Sequence, residues 1–288
     1  MKIDGPGGIF VIGTASLDVL HFAGQTARTA GGAGMYTALA ACRAGASAGL
    51  FAPKPQPMPP ELQPVAERLV WLGPLIPPEQ LPRLEIAHHG GGRATLVNAS
   101  WGAEARFTPA MMPPEIWSAS IVHIAALSSA QRQLDFLTAL KHRRAALNSP
   151  HPLISVGTYA RLVYGESAPV RQLFDQADLF FMNENEANGL FGSVKQARPR
   201  AGARLFVTLG QNGVFVIEED QATHLPARPA VELDPTGAGD TFCGATLAGL
   251  AAGLSPTAAA EQGIGLAAEM IGAVGPAALL NDQIAWTW

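Results

Sequence analysis

The chain has 288 residues, of which 48% are apolar and 15% are charged, so it can build a sizeable core and is not a disordered chain. Its net charge of -4 gives no general positive field for nucleic acid or anionic lipid, so an anionic ligand must be held by local groups. Two cysteines far apart in sequence, Cys42 and Cys243, form no disulfide framework and fit a reducing compartment. We therefore expect a cytoplasmic protein that binds neither nucleic acid nor a membrane.

The apolar segments of the sequence do not predict a membrane span. The first residues, MKIDGPGGIFVIG, carry Asp4 and turn-forming residues ahead of a short apolar run, unlike a signal peptide. The longest apolar stretch, residues 264–280, contains Glu269 and Pro276 and is shorter than the roughly 20 residues that a spanning helix needs. We predict a buried helix followed by a turn for this stretch.

Short apolar runs of strand length alternate with longer helix-compatible segments along most of the chain. This alternation predicts βα units, in which helices cover both faces of a largely parallel sheet. The predicted strands are 9–12, 48–51, 69–72, 121–124, 153–156, 179–182, 205–208 and 214–217. The predicted helices are 34–44, 131–147, 170–177, 184–191, 239–251 and 256–272. With no internal repeat and no domain linker, we predict one doubly wound α/β domain over residues 1–288.

Two regions break this alternation. Residues 53–60 are so rich in proline that they cannot form a central strand, and they predict a stiff surface loop, with a proline-recognition ligand as the alternative. Residues 88–108 alternate polar and apolar side chains on both sides of Trp101 and Gly102, which predicts a β-hairpin with its turn at these two residues. We expect this hairpin to cover a site.

The segment ELDPTGAGDTFCGATLAGLAAG, residues 232–253, is the densest functional signal. A polar, glycine-containing turn opens directly into a helix of small residues, so unpaired backbone N–H groups and the helix dipole can bind an anion without lysine. Asp240 stands at the same end, where a carboxylate next to bound phosphate can act as a base. The structural alternative is that Asp240 is an N-cap and the glycines form a plain turn. Phe242 stands where a dinucleotide-binding fingerprint needs its third glycine, and the sequence has no P-loop motif.

Within this segment, DPTGAGDTF closely resembles a signature of the PfkB/ribokinase family of small-molecule kinases. Three further segments agree with that family in order and spacing: GTASLD with GGAGMYTALAACRAG, then MNENEA, then VTLGQNGVFVI. The similarity extends over roughly residues 9–275. The resemblance implies a ribokinase-like three-layer αβα sandwich with a central, mostly parallel sheet and a small β lid. It also implies phosphorylation of a hydroxymethyl group of a small sugar, polyol or nucleoside by ATP.

The resemblance assigns the site residues by position. Asp240 is the catalytic base, and the backbone amides of Gly237, Ala238 and Gly239 form the anion hole for the transferred phosphoryl group. Residues assigned to the nucleotide phosphates and to magnesium, the latter through water, are Asn183, Glu186, Thr208, Gly210 and Gly213. Without the family, Asn183 and Glu186 indicate a helix capping pair, and the glycines indicate a hairpin turn. The resemblance also raises a potassium site at Asp234 and Thr236 as a hypothesis, and it places the adenine pocket around residues 263–275.

The acceptor side departs from the family pattern. The resemblance assigns Asp18, Gly31, Gly32 and Tyr36 to acceptor binding, but many sugar kinases carry asparagine where Tyr36 stands. Gly157 likewise lies where many members have polar side chains. The short segment between Asp18 and Gly31 predicts a reduced lid, formed by residues about 19–30 and 88–108, and leaves monomer and homodimer both open.

Two adjacent histidines, a cysteine and a tryptophan also call for an interpretation. Adjacent His88 and His89 point to opposite sides of a strand and lack nearby acidic or thiol partners, so we interpret them as polar lid residues and not as metal ligands. Cys243 is either a small buried helix residue or a site of oxidation or alkylation beside Asp240. Trp101, expected at the hairpin tip, contacts either substrate or solvent.

Two functions from other classes compete with a kinase. A non-catalytic ligand sensor could use the same fold and nucleotide pocket with a rebuilt acceptor side, but it would have little need of Asp240 at an anion site. A nicotinamide oxidoreductase lacks the required glycine spacing. The sequence therefore favours a phosphotransferase that uses ATP and Mg²⁺.

Overall fold

A computed structural model describes residues 8–22, 24–90 and 94–281, and the statements below refer to these residues. Residues 1–7, which we interpreted as unlike a signal peptide, lie outside the described residues. Residues 91–93 of the predicted hairpin also lie outside them. The strands are β1 (Ile9–Ile12), β2 (Ser16–Phe22), β3 (Gln25–Gly31), β4 (Ala48–Phe51), β5 (Lys54–Pro55), β6 (Val70–Leu72), β7 (Leu75–Ile76), β8 (Arg83–His88), β9 (Ala94–Ser100), β10 (Ile121–Ile124), β11 (Leu153–Gly157), β12 (Leu179–Asn183), β13 (Arg204–Thr208), β14 (Val214–Glu218) and β15 (Gln221–Leu225). The α-helices are α1 (Ala33–Arg43), α2 (Gln63–Arg68), α3 (Ala130–Ala146), α4 (Ala160–Gly165), α5 (Ser167–Gln176), α6 (Glu184–Phe191), α7 (Ala238–Ala251), α8 (Pro256–Met270) and α9 (Ala277–Leu280).

The central sheet has nine strands in the order β15-β14-β13-β12-β11-β10-β1-β4-β6. Pairing is parallel from β13 to β6 and antiparallel for β14 and β15. Every predicted strand is present with ends within one residue of the prediction, because strands buried on both faces are short, continuous apolar runs. The predicted mostly parallel α/β sheet is therefore confirmed.

Helices cover both faces of this sheet and give three layers. On β1, Ile9 and Val11 belong to one hydrophobic core with α1, α7 and α8, whereas Phe10 and Ile12 belong to a second core with α3, α5 and α6. Successive strand residues point to opposite faces, so one strand contributes to both cores. The three-layer αβα sandwich is confirmed.

A second sheet of four strands, in the order β3-β2-β8-β9, lies apart from the central one. The predicted hairpin of residues 88–108 is wrong in its position: the antiparallel pair is β8 with β9, which pair from Arg83 with Ser100 to His88 with Ala94. Trp101 and Gly102 follow β9, and Gly102–Arg106 is a 3-10 helix. Trp101 is therefore not at a hairpin tip.

Smaller elements also differ from the expectation. The proline-rich residues 53–60 do not form a central strand, as predicted, but they are not simply a surface loop, because Lys54–Pro55 pairs with Leu75–Ile76. The apolar stretch 264–280 forms the end of α8, a turn and α9, which agrees with the prediction. In the described part of the chain, no helix is both long and apolar enough to cross a membrane.

Candidate active site

A cavity of about 380 Å³ opens between the carboxyl ends of the parallel strands and the second sheet. Ligands of open α/β sheets bind at this edge, where the loops after neighbouring strands meet. The predicted site residues that line the cavity are Asp18, Gly32, Tyr36, Asn183, Glu186, Thr208, Thr236, Gly237, Gly239 and Asp240. The predicted residues that are not among its lining residues are Gly31, Gly210, Gly213, Asp234 and Ala238.

The turn before α7 presents backbone groups to the cavity. Gly237 is the N-cap, and its φ of 79° lies in the left-handed region that favours glycine. The Ala238 N–H donates to the Pro235 carbonyl at 3.1 Å, so this amide closes the turn, and its predicted place in the anion hole needs correction. Gly237 and Gly239 line the cavity.

Asp240 lies in the first turn of α7, beside these glycines. The alternative that Asp240 is the N-cap is wrong, because Gly237 takes that position. Burial raises the pKa of the Asp240 carboxyl from 3.8 to about 7, although part of the residue remains exposed to the cavity. A carboxyl group with this pKa can hold or release a proton near neutral pH.

Asn183 and Glu186 form a reciprocal capping box at the start of α6. The Asn183 N–H donates to Glu186 Oε2 at 2.8 Å, and the Glu186 N–H donates to Asn183 Oδ1 at 2.9 Å. The capping interpretation is therefore confirmed, and both residues also line the cavity. Burial, with a contribution from the negative charge of Asp240, raises the pKa of Glu186 to about 8.

The cavity has an acidic lining that would suit a divalent cation. Asp18, Glu186 and Asp240 face it, and none of the described residues that line it is lysine or arginine. The described residues contain no cluster of three or more side chains arranged to hold a metal, so magnesium here would depend on water and phosphate ligands. Glu186 keeps free acceptor capacity beside its capping bonds, and these residues fit a magnesium ion held through water.

Asp234 and Thr236 do not fit the potassium hypothesis. The Asp234 carboxylate is fully buried, and it accepts hydrogen bonds from the Thr236 N–H at 2.9 Å and the Gly275 N–H at 2.8 Å. His88 Nε2 lies 3.3 Å from Asp234 Oδ1 and 2.9 Å from Thr236 Oγ1. Two backbone N–H donors and the His88 ring therefore lie against the Asp234 carboxylate at the place where the resemblance raised a potassium ion.

The two adjacent histidines point in opposite directions, as predicted, but the expectation that neither has an acidic partner is wrong, because His88 Nε2 lies 3.3 Å from Asp234 Oδ1. His88 is buried against Thr236, whereas exposed His89 contacts Thr95 of the neighbouring strand at 2.9 Å. Sequence reasoning missed the contact between His88 and Thr236, because these residues are 148 positions apart.

Two buried polar groups mark the acceptor end of the cavity. Asp18 is 2% exposed and Tyr36 is 1% exposed, and within the described chain neither Asp18 Oδ1 nor the Tyr36 hydroxyl has a hydrogen-bond partner. Burial raises the pKa of Asp18 to about 6. A Cβ at Gly31 would lie 1.8 Å from Asp18 Oδ2, so this glycine leaves room for the carboxylate. Unpaired buried groups of this kind are ready to bind hydroxyl groups of a ligand.

An apolar wall also lines the cavity, and sequence reasoning missed most of it. Its members are Leu84, Ile86, Trp101, Leu127, Tyr159 and Phe181. The alternation of β8 was the available signal, since Leu84 and Ile86 are two residues apart. Gly157 lies against the His123 ring, whose pKa is lowered to about 3 by burial, so this ring is neutral.

Cys243 on α7 is among the residues that line the cavity. The residue is 2% exposed, and burial together with the nearby charge of Asp240 raises its thiol pKa well above the ordinary value. Because the thiolate is the reactive form, this environment favours the packing interpretation over oxidation or alkylation.

The residues assigned to the nucleotide lie at the end of β13 and in the turn that follows it. Thr208 ends β13 and lines the cavity, and Gly210 begins the short turn that leads to Gly213 and β14. This geometry agrees with the hairpin-turn interpretation of the two glycines. In the expected adenine region, a Cβ at Gly263 would lie 2.4 Å from Thr246 Oγ1, so close packing of α7 and α8 explains that glycine.

The fold and the cavity together define a ribokinase-like kinase. The model of the pfkB family of carbohydrate kinases matches residues 75–283. The cytidine kinase of Thermococcus kodakarensis is 30% identical over 255 residues, which are 85% of this chain and 89% of the relative. The chain therefore belongs to the PfkB family and is a PfkB-type phosphotransferase.

Solved structures share the fold at low sequence identity. Adenosine kinase from Sinorhizobium meliloti has a TM-score of 0.78 and 17% identity, over 94% of this chain and 96% of that one. Ribokinase from Cryptococcus neoformans var. grubii serotype A, in complex with ADP, has a TM-score of 0.73 and 19% identity, over 94% and 96%. These likenesses establish a ribokinase-type fold.

Proposed function

We propose that this kinase transfers the γ-phosphoryl group of ATP to a primary hydroxyl group of a nucleoside. The observation that carries the proposal is the composition of the acceptor end of the cavity. Two buried oxygens without a hydrogen-bond partner, on Asp18 and Tyr36, belong to residues that line the same cavity as the apolar side chains of Leu84, Ile86 and Trp101. The two oxygens suit the hydroxyl groups of a ribose, and the apolar wall suits the face of a base.

The transfer is a direct displacement in this proposal. The acceptor O–H proton passes to the Asp240 carboxylate as the acceptor oxygen bonds to the γ-phosphorus, and the bond from that phosphorus to ADP breaks. The amides of Gly237 and Gly239 and the positive end of α7 stabilise the charge on the moving phosphoryl oxygens. The pKa of about 7 suits Asp240 to this task, because the carboxylate is available near neutral pH and still has proton affinity.

Magnesium is the cation that we assign to the phosphates. Asn183 and Glu186 would hold it through water, and its charge would offset the repulsion between the acidic lining and the triphosphate. Thr208 and Gly210 would lie along the nucleotide in this arrangement. The ADP in the ribokinase structure supports ATP as the donor. We assign no potassium ion to Asp234, because His88 and two backbone N–H groups lie against its carboxylate.

A nucleoside fits better than a free sugar. A pentose or hexose would leave the apolar wall in contact with water, whereas a base covers it and gains stacking worth about 1–3 kcal/mol. The cytidine kinase and adenosine kinase relatives support this acceptor class. Tyr36 in place of an asparagine agrees with it, since a phenol offers one hydroxyl group where an amide offers several polar contacts.

An acceptor panel tests the proposal. Cytidine, adenosine and inosine are compared with ribose, fructose and myo-inositol, with ATP and Mg²⁺, and the phosphorylated products are identified by mass spectrometry. We expect kcat/KM for at least one nucleoside to exceed that for ribose by roughly 10-fold to 100-fold, from the stacking energy above. A preference for a free sugar would refute the acceptor class. Binding of ATP and nucleoside without any product would instead support the sensor alternative.

A further inference from the structure

We propose that His88 is a positioning residue that couples the second sheet to the turn at the start of α7, and that it stands at Asp234 where a potassium ion was expected. This inference rests on the proposed anion-hole role of that turn. The His88 side chain is 5% exposed, and its Nε2 lies 2.9 Å from Thr236 Oγ1 and 3.3 Å from Asp234 Oδ1. The His88 ring is therefore hydrogen-bonded to the Thr236 hydroxyl group and lies against the Asp234 carboxylate.

Asp234 connects this contact to the backbone of the turn. Its Oδ1 accepts from the Thr236 N–H and its Oδ2 accepts from the Gly275 N–H. Thr236 directly precedes Gly237, whose position sets the first turn of α7. A shift of His88 is therefore passed to the backbone groups that we assign to the phosphoryl group.

A second strand of the same sheet reaches the other side of Asp234. A Cβ at Gly275 would lie 2.0 Å from Thr29 Oγ1 on β3, so that strand packs directly on the loop that donates to Asp234. Two strands of the second sheet, β8 through His88 and β3 through Thr29, thus contact the two segments that hold this carboxylate.

The strand that carries His88 also carries part of the acceptor wall. Leu84, Ile86 and His88 are spaced by two residues on β8, the period that places side chains on one face of a strand. Leu84 and Ile86 line the cavity, and His88 contacts Thr236. An acceptor packed against β8 would therefore hold the strand that orients the anion hole, so that the turn is in place when the acceptor is bound.

The test compares His88→Ala, His88→Gln and His89→Ala with the wild type. His88→Gln keeps an N–H donor near the position of Nε2, and His89→Ala is the matched control, because His89 is exposed and contacts Thr95. Hydrogen–deuterium exchange of residues 236–241 is measured without ligands. Turnover with cytidine as the acceptor probe is measured at equal ionic strength in potassium chloride and in tetramethylammonium chloride.

We expect His88→Ala to speed exchange in residues 236–241 and to lower kcat by roughly 10-fold to 100-fold, with little change in the KM for ATP, because a small misplacement of a catalytic group is costly. His88→Gln should restore most of both properties, His89→Ala should change neither, and wild-type turnover should be equal in the two salts. Unchanged exchange of residues 236–241 in both His88 variants, equal effects of His88→Ala and His89→Ala, or potassium-dependent wild-type turnover would each overturn the proposal. If none of cytidine, adenosine and inosine is phosphorylated, the proposed acceptor class fails, and the ligand-free exchange measurement still decides the role of His88.

Discussion

Replacing Asp240 with asparagine should remove catalysis and at the same time stabilise the folded protein. The carboxyl group is surrounded by protein atoms, with no lysine or arginine among the described residues that line the cavity, and its pKa is raised from 3.8 to about 7 by burial. Its charged form is therefore unfavourable in the folded state. Asparagine has nearly the same shape and carries no charge, so it should relieve this cost.

The magnitude follows from the shift in pKa. At about 1.4 kcal/mol per pKa unit, a rise from 3.8 to about 7 corresponds to about 4 kcal/mol. Because Asp240 keeps contact with cavity water, we expect about half of this, roughly 2 kcal/mol. For a domain of this size, such a gain raises the melting temperature by roughly 4 °C.

The pH dependence has a definite sign. The pKa of Asp240 is higher in the folded state than in the unfolded state, so the cost of the charge is fully present above about pH 7 and declines as the pH falls towards 4. The stabilisation by Asp240→Asn should therefore be largest at mildly alkaline pH and should vanish in acid.

Thermal unfolding of wild type and Asp240→Asn across this pH range provides the assay. Asp220→Asn is the matched control, because the Asp220 side chain is fully exposed and its replacement should leave stability nearly unchanged at every pH. A lower melting temperature for Asp240→Asn at alkaline pH, or a difference that does not vary with pH, would refute the reasoning.

Three further substitutions test other parts of the site. Glu186→Gln should raise the magnesium concentration that gives half-maximal activity by roughly 10-fold. The control Glu184→Gln should leave that concentration unchanged, and a magnesium titration of both variants measures it. Trp101→Ala should raise the KM for the nucleoside by roughly 10-fold and leave the KM for ATP unchanged in steady-state assays, since base stacking is lost. Gly237→Ala should lower turnover by at least about 100-fold, because a Cβ there would lie 2.6 Å from the Tyr36 ring and would distort the turn. The control Gly202→Ala has a similar φ of 77° but open space around its Cβ, and it should cost stability and not turnover. Equal turnover in the two glycine variants would rule out the assigned role of the turn.

The central sheet could be predicted from the sequence because its strands are buried on both faces. Ile9–Ile12 and Ile121–Ile124 are entirely apolar or nearly so, and their ends agree with the prediction. The start of α6 could also be predicted, because Asn183 and Glu186 have the spacing of a capping box. The structure contains this capping box. Local signals of this kind need no knowledge of the rest of the fold.

The second sheet was harder to predict because its strands have no common burial pattern. Ala94–Ser100 is mostly exposed and Arg83–His88 is half-buried, so neither resembles a core strand. The predicted hairpin was therefore centred on Trp101, which in the structure follows the second strand of the pair. The contact of His88 with Thr236 joins residues far apart in sequence, and no local pattern indicates it. For the same reason, no local pattern places His88 beside Asp234, where potassium was the hypothesis.

The central claim is that Asp240 takes the acceptor proton while the γ-phosphoryl group lies at the turn before α7. The most direct measurement follows the labelled γ-phosphoryl group of ATP in a single turnover with cytidine, adenosine or inosine, for wild type and Asp240→Asn. We predict labelled nucleoside monophosphate from the wild type, transfer slower by roughly 100-fold to 10,000-fold in the variant, and similar ATP affinity for both. Transfer at the wild-type rate by Asp240→Asn, or label that the wild type releases as inorganic phosphate and never passes to a nucleoside, would contradict the claim.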